Sequence, residues 1–89
     1  MTIQSEKKLL SMMMMDTLFC RQVLPLFSSK DFRLDNHATI FNSIYRLISK
    51  NKYADFLTIT EELKEQGLFD SVGVEYICEI LEIDEPKLS

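Results

Sequence analysis

Glycine and proline are scarce in this chain, with two of each in 89 residues. An all-β fold depends on many tight turns, which draw on those two residues. Their scarcity favours helices joined by short loops. Tryptophan is absent, and His37 is the single histidine. The two cysteines, Cys20 and Cys78, lie far apart in no paired motif. With one histidine to help them, they do not compose a zinc site, and no metal or cofactor is expected. Two lone thiols suit a reducing compartment, though their count alone allows a disulfide. Two glycines are too few for a Walker-type phosphate loop, and neither Gly-x-Ser-x-Gly nor His-Glu-x-x-His occurs.

What is present amounts to one domain. A chain of this length buries about 60–65% of the surface its unfolded form would expose, so its stability should be about 5–10 kcal/mol. Ten Lys/Arg against fourteen Asp/Glu leave a net charge of -4, and the acids crowd the second half. Residues 37–89 hold ten carboxylates and five cations, whereas residues 1–36 hold four and five. Phosphate backbones are bound by clustered Lys and Arg, so direct nucleic-acid binding is not expected, with a local patch of Lys7, Lys8 and Arg21 left open. Lys7 and Lys8 before Leu9–Met15 mimic the start of a signal peptide. Asp16 stops that apolar run after seven residues, with no small-x-small site beyond it. The run is also too short to cross a bilayer. The expectation is a helix in a cytoplasmic protein with no membrane contact.

Ser5 can cap a first helix, with Glu6 suited to the positive end of its dipole. Leu9, Leu10, Met13 and Met14 recur at helical spacing. The four methionines read as core filler with one or two exposed side chains. A second apolar stretch runs from Thr17 to Leu24 and ends at Pro25. Phe32 is an anchor before the main helix, which Asp35 or Asn36 can cap. At about 100° per residue, His37, Ile40, Phe41, Ile44, Tyr45, Leu47 and Ile48 share one arc roughly 160° wide, and Asn42, Ser43, Arg46, Ser49 and Lys50 lie opposite. Asn51 is a plausible stop. Thr58-Ile59-Thr60-Glu61 has the form of a capping box, opening a helix with Ile59 and Leu63 inward. Gly67 stands where a helix C-cap glycine belongs. Asp70 or Ser71 can start a last helix with Tyr76, Ile77, Ile80 and Leu81 on its apolar face.

Chemistry is hard to find among these residues. Glu61, Glu62 and Glu65 read as a solvated helix face. His37 is the one candidate base. It has no nucleophile placed by motif, so it is read as a structural histidine bonded to backbone or to a carboxylate.

The ordered set Glu6, Leu10-Ser11, Asp16, Asp31-Phe32, His37…Ile40-Phe41, Leu47, Asp55, Thr58, Leu63, Gly67, Phe69-Asp70-Ser71-Val72-Gly73, Tyr76 and Leu81 resembles the N-terminal domain of bacterial replicative DNA helicases of the DnaB type. The likeness covers about residues 5–81. It departs from the family pattern at Ser11, Arg33, Asn51, Tyr53 and Ala54, at Tyr45, and at a Gly73–Tyr76 turn one residue short. The helical hairpin, linker and RecA-like motor of that family are not in these 89 residues, so the chain is expected to be an excised domain or a small stand-alone relative.

The expected fold is all-α, a compact orthogonal bundle of five to six short helices. Residues 1–4 are expected to be disordered, 5–82 to form the domain, and 83–89 to be a frayed tail or the start of a linker. The resemblance implies a non-catalytic collar domain of a replicative helicase. Such a domain would self-associate, as a dimer when isolated and a hexamer in the parent, and would help contact primase and a helicase loader. Its structural motif would be Glu6, Phe32, His37, Ile40, Phe41, Asp55, Thr58, Glu61, Gly67, Gly73 and Tyr76, with Tyr45, Phe56 and Leu57 as a candidate partner surface. The rivals are an adaptor from a phage or mobile element that mimics the helicase domain, a helix-turn-helix DNA-binding domain, and a small enzyme. An acidic fourth helix argues against the second, and the lack of an assembled site argues against the third.

Overall fold

Helices dominate a computed structural model of the chain, which describes residues 1–82, and no strand forms among them. The helices are α1 (Ile3–Met15), α2 (Thr17–Val23), α3 (Asp35–Ser49), α4 (Phe56–Gln66), α5 (Phe69–Val72) and α6 (Val74–Glu82), with short 3-10 turns at Leu24–Leu26 and Ser29–Asp31. The all-α expectation of five to six helices holds. The expected tail at 83–89 lies outside the described residues. Central α3 packs against α1 and α4, and α1 also packs against α2 and α6. The radius of gyration is 12.2 Å, close to the value of about 12 Å expected for a compact chain of this length.

Amphipathic stripes account for this packing. Leu10, Met13, Cys20, Ile40, Phe41, Ile44, Ile59, Leu63, Ile77 and Ile80 form the buried centre. The Phe32 and Phe41 rings lie 5.0 Å apart, tilted by 37°, a favoured aromatic geometry. Of the methionine run, Met13 and Met14 are buried, while Met12 and Met15 face solvent. The buried arc of α3 is rotated from its expected position. Ser43, expected on the polar side, is fully buried, and Tyr45, expected at the edge of the apolar arc, is 53% exposed. Ser43 goes inward because its hydroxyl donates to the Thr39 carbonyl at 3.0 Å and accepts from Gln66 of α4 at 3.2 Å, which satisfies a buried polar group.

The helix ends differ from expectation in four places. The first turn of α1 is capped by Thr2, whose hydroxyl accepts from the Ser5 N–H at 3.0 Å. Helix therefore begins at Ile3, inside the stretch 1–4 expected to be disordered. Asp55 caps α4, and its box partner is Thr58: each backbone N–H donates to the other's side chain at 2.9 Å. Glu61 takes no part and is exposed. An Asp three residues before a Thr closes the same reciprocal geometry as Thr58–Glu61 would, one turn earlier. No side chain caps α3 at Leu34, which has no acceptor to offer. Finally, the single last helix is two, α5 and α6, broken at Gly73.

Three residues supply the positive φ that these breaks need. Asn51 (φ 62) follows α3, and Gly67 (φ 74) ends α4, both as expected. Gly73 has φ 85 and ψ 134, outside the region a side chain tolerates. A Cβ there would meet nothing within 4 Å, so the cost of Gly73→Ala is conformational alone. It should lower stability by about 1–3 kcal/mol, read as a reduced urea midpoint with unchanged helicity at low denaturant.

Candidate functional site

Three residues far apart in sequence meet in the core. Glu6 of α1, His37 of α3 and Tyr76 of α6 form a hydrogen-bonded chain. His37 Nδ1 lies 2.8 Å from Glu6 Oε1, and His37 Nε2 lies 2.6 Å from the Tyr76 hydroxyl. Glu6 and His37 are fully buried. The Arg33 backbone N–H donates to both Glu6 oxygens, at 3.0 and 2.9 Å. A carboxylate from α1 thus holds the backbone at Arg33, just before α3 begins.

Charges set the direction of these bonds. Burial pushes the Glu6 carboxyl up, but the His37 hydrogen bond, the Arg33 N–H, the electrostatic pull of the His37 ring and the Leu34 N–H together outweigh it and hold it below the usual carboxylate range. An ionised carboxylate only accepts, so His37 donates through Nδ1. Burial, with Glu79 and Glu6 acting against the cation of Lys7, pushes the Tyr76 phenol up. The phenol therefore stays protonated and can donate to Nε2. The order carboxylate, imidazole, hydroxyl matches that of an acid–base relay. Here, however, the hydroxyl is taken up by the imidazole and the ring stacks on His37 at 5.7 Å. The arrangement fastens α1, α3 and α6 together. The Lys7 ammonium completes its outer edge, 2.7 Å from Glu79 and 5.7 Å from the centre of the Tyr76 ring.

A second buried carboxylate ties α3 to α4. Glu62 is 2% exposed, a correction to the solvated face expected for Glu61, Glu62 and Glu65. Lys50 Nζ donates to Glu62 Oε1 at 3.0 Å, and Arg46 Nε lies 3.4 Å from Oε2. The Lys50 hydrogen bond, opposed by burial and helped by the charges of Lys50 and Arg46, holds the Glu62 carboxyl low. A signal for it was available: at about 100° per residue Glu62 falls roughly 60° from Ile59, on the flank of the inward stripe.

Both carboxylates have lowered folded values, so both contribute stability that is present above their unfolded value, near 4.5, and is lost as pH falls through the folded values. The urea midpoint should change little from about pH 7 to about pH 5 on their account, and fall below about pH 4.5. Glu62→Gln should make that fall shallower.

The remaining expected residues divide cleanly. Phe32, Ile40 and Phe41 are core, Asp55 and Thr58 form the cap, and Gly67 and Gly73 end helices. Tyr45, Phe56 and Leu57 are all exposed, at 53%, 38% and 63%. They do not share one groove: Tyr45 lines a depression with Leu24, Pro25 and Ile48, and Phe56 lines another with Cys78 and Leu81. Cys20 is buried, its thiol pushed up to about 11 by burial, which makes it inert. Both cysteines are free. Among the described residues no group of three or more His, Cys, Asp or Glu is placed to hold a metal, and no helix is long and apolar enough to cross a membrane.

Comparison with known proteins places this geometry. A family model described as the DnaB-like helicase N terminal domain matches residues 1–84. The replicative DNA helicase DnaB of Rhodothermus marinus is 30% identical over 71 residues, which make up 80% of this chain and 8% of that protein. The crystal structure of the N-terminal domain of DnaB helicase from Mycobacterium tuberculosis superposes with a TM-score of 0.87 at 23% identity, over 91% of this chain and 59% of that one. At that identity the likeness is one of fold. The chain spans under a tenth of the length of the replicative helicase it matches.

Proposed function

This chain belongs to the family of DnaB-like helicase N-terminal domains, and from that premise we propose that it acts as a non-catalytic collar domain in DNA replication, through self-association and protein contacts. Primase and a helicase loader are the partner classes, the cytoplasm is the site of action, and any ATP-driven unwinding belongs to a parent helicase. One observation carries the reading. The polar chemistry of the domain is spent internally, in the Glu6–His37–Tyr76 and Glu62 clusters, while large apolar side chains are left outside a well-packed core. Exposed apolar surface on a closed core favours association with another protein surface.

Phe56 and Leu57, at the head of α4 beside the end of α6, are the proposed self-association face. Acidic α4 and α6 support the absence of direct nucleic-acid contact, since Glu61, Glu65, Glu75, Glu79 and Glu82 stand outward. Leu57→Asp tests the face, because Leu57 is exposed and its loss leaves the core intact. The dissociation constant of the self-associated form, from sedimentation equilibrium, should rise by roughly tenfold or more, the effect of losing an interface anchor. An unchanged constant with an unchanged fold would remove this face from the proposal.

A further inference from the structure

One groove differs in charge from its neighbours. It runs between the C-terminal end of α2 with the following 3-10 turn and the last two turns of α3. Arg21, Leu24, Pro25, Tyr45, Ile48 and Ser49 line it. Its floor is apolar, its rim carries one guanidinium, and no carboxylate is among the described residues that line it. Four other surface grooves each include a carboxylate, among them Asp70, Glu61, Glu79 and Glu82. In a chain of net charge -4, a groove lined, among the described residues, by a cation and no anion is a distinct electrostatic site.

The cation is held in position. Arg21 Nη2 donates to Asn51 Oδ1 at 3.2 Å, and Asn51 is fixed by its left-handed turn at φ 62 after α3. A guanidinium has five N–H donors, so the others remain for a ligand. A tethered guanidinium fits a carboxylate in bidentate fashion and loses little freedom on binding. Beside it, Tyr45 presents a half-exposed ring one helical turn from Ser49, on the same face of α3. Aromatic and Arg side chains together are the usual anchors of protein interfaces. The depression holds about 310 Å³, near the lower end of ligand-pocket sizes of roughly 300–1,000 Å³, a size suited to an anchoring side chain.

We propose that this groove docks an acidic segment of another protein, with an aromatic or aliphatic side chain seated on Leu24, Pro25 and Ile48 and an adjacent Asp or Glu paired with Arg21. The site deepens the partner-contact part of the proposed function and rests on it. Self-association is read from solution mass, so either can fail alone.

The test is an amide-shift titration of the isotope-labelled chain with the synthetic peptide Asp-Asp-Leu-Phe-Asp-Asp, and separately with Lys-Lys-Leu-Phe-Lys-Lys. The acidic peptide should shift amides in 21–24 and 45–51, with an affinity that falls as salt is raised. Arg21→Glu should weaken it by roughly tenfold or more, as expected for losing a hydrogen bond to a charged group. Tyr45→Ala should weaken it as well, and both variants should keep wild-type helicity because both side chains are exposed. Equal shifts with the basic peptide, shifts centred on another groove, or none at millimolar peptide would overturn the proposal. So would the same amides shifting with chain concentration in the absence of peptide, since the occupant would then be a second copy.

Discussion

Replacing Glu6 with alanine should remove about 2–6 kcal/mol of stability, the cost of leaving the two donors that meet it without an acceptor. The loss follows from what the carboxylate holds. Two donors point at it: His37 Nδ1, from a fully buried ring, and the part-buried Arg33 N–H. Each buried donor left unpaired costs about 1–3 kcal/mol. In a domain stable by about 5–10 kcal/mol, the urea midpoint should drop by about a fifth or more. Graded variants should follow the chain of bonds. Tyr76→Phe removes only the hydroxyl that His37 Nε2 meets, and should cost about 1–3 kcal/mol. Glu61→Ala, an exposed carboxylate of the same type, should stay within about 0.5 kcal/mol of wild type. Equal effects for Glu6 and Glu61 would mean that the buried chain of bonds does not organise the fold.

Phe41→Ala should be as damaging, by about 3–5 kcal/mol, through lost burial and the cavity it leaves. Phe41 is 2% exposed and sits at the centre of the bundle, against Phe32. Neighbouring α3 and α4 are held in place by Glu62 as well as by packing, so the cavity cannot simply close. Phe56→Ala is the control. That ring is more than a third exposed, and its loss should cost far less. Thermal unfolding of the two variants side by side separates core from surface, and similar losses would contradict the assignment of Phe56 to the outside.

How much of this could be read from the sequence depends on the range of each interaction. The stripe of α3 was legible because Ile40, Phe41, Ile44 and Leu47 repeat at local spacing. Its rotation was not, because Ser43 is drawn inward by Gln66, a residue 23 positions away. The stops at Asn51 and Gly67 were legible, since left-handed geometry restricts the residue locally. The cap of α4 was misplaced by one turn because two overlapping boxes, Asp55–Thr58 and Thr58–Glu61, satisfy the same rule. The start of α3 was legible to within two residues, but its cap was not: no side chain caps it at Leu34, and Glu6, 27 residues from Arg33, takes the N–H just before it. Glu6, His37 and Tyr76 were each named through the family likeness, yet their meeting, across separations of 31 and 39 residues, required the fold. Glu62 was missed for a different reason. Its carboxylate type outweighed its place on the flank of the apolar stripe, when the stripe was the better guide.

The central claim is that the domain works as an interaction module that associates with itself. Sedimentation equilibrium of the isolated chain over a wide range of concentration tests it most directly. The account predicts a mass that rises above the 10.4 kDa of one chain toward a defined oligomer as concentration increases. A mass that stays at one chain throughout, in a sample that keeps its helicity, would contradict self-association through this domain.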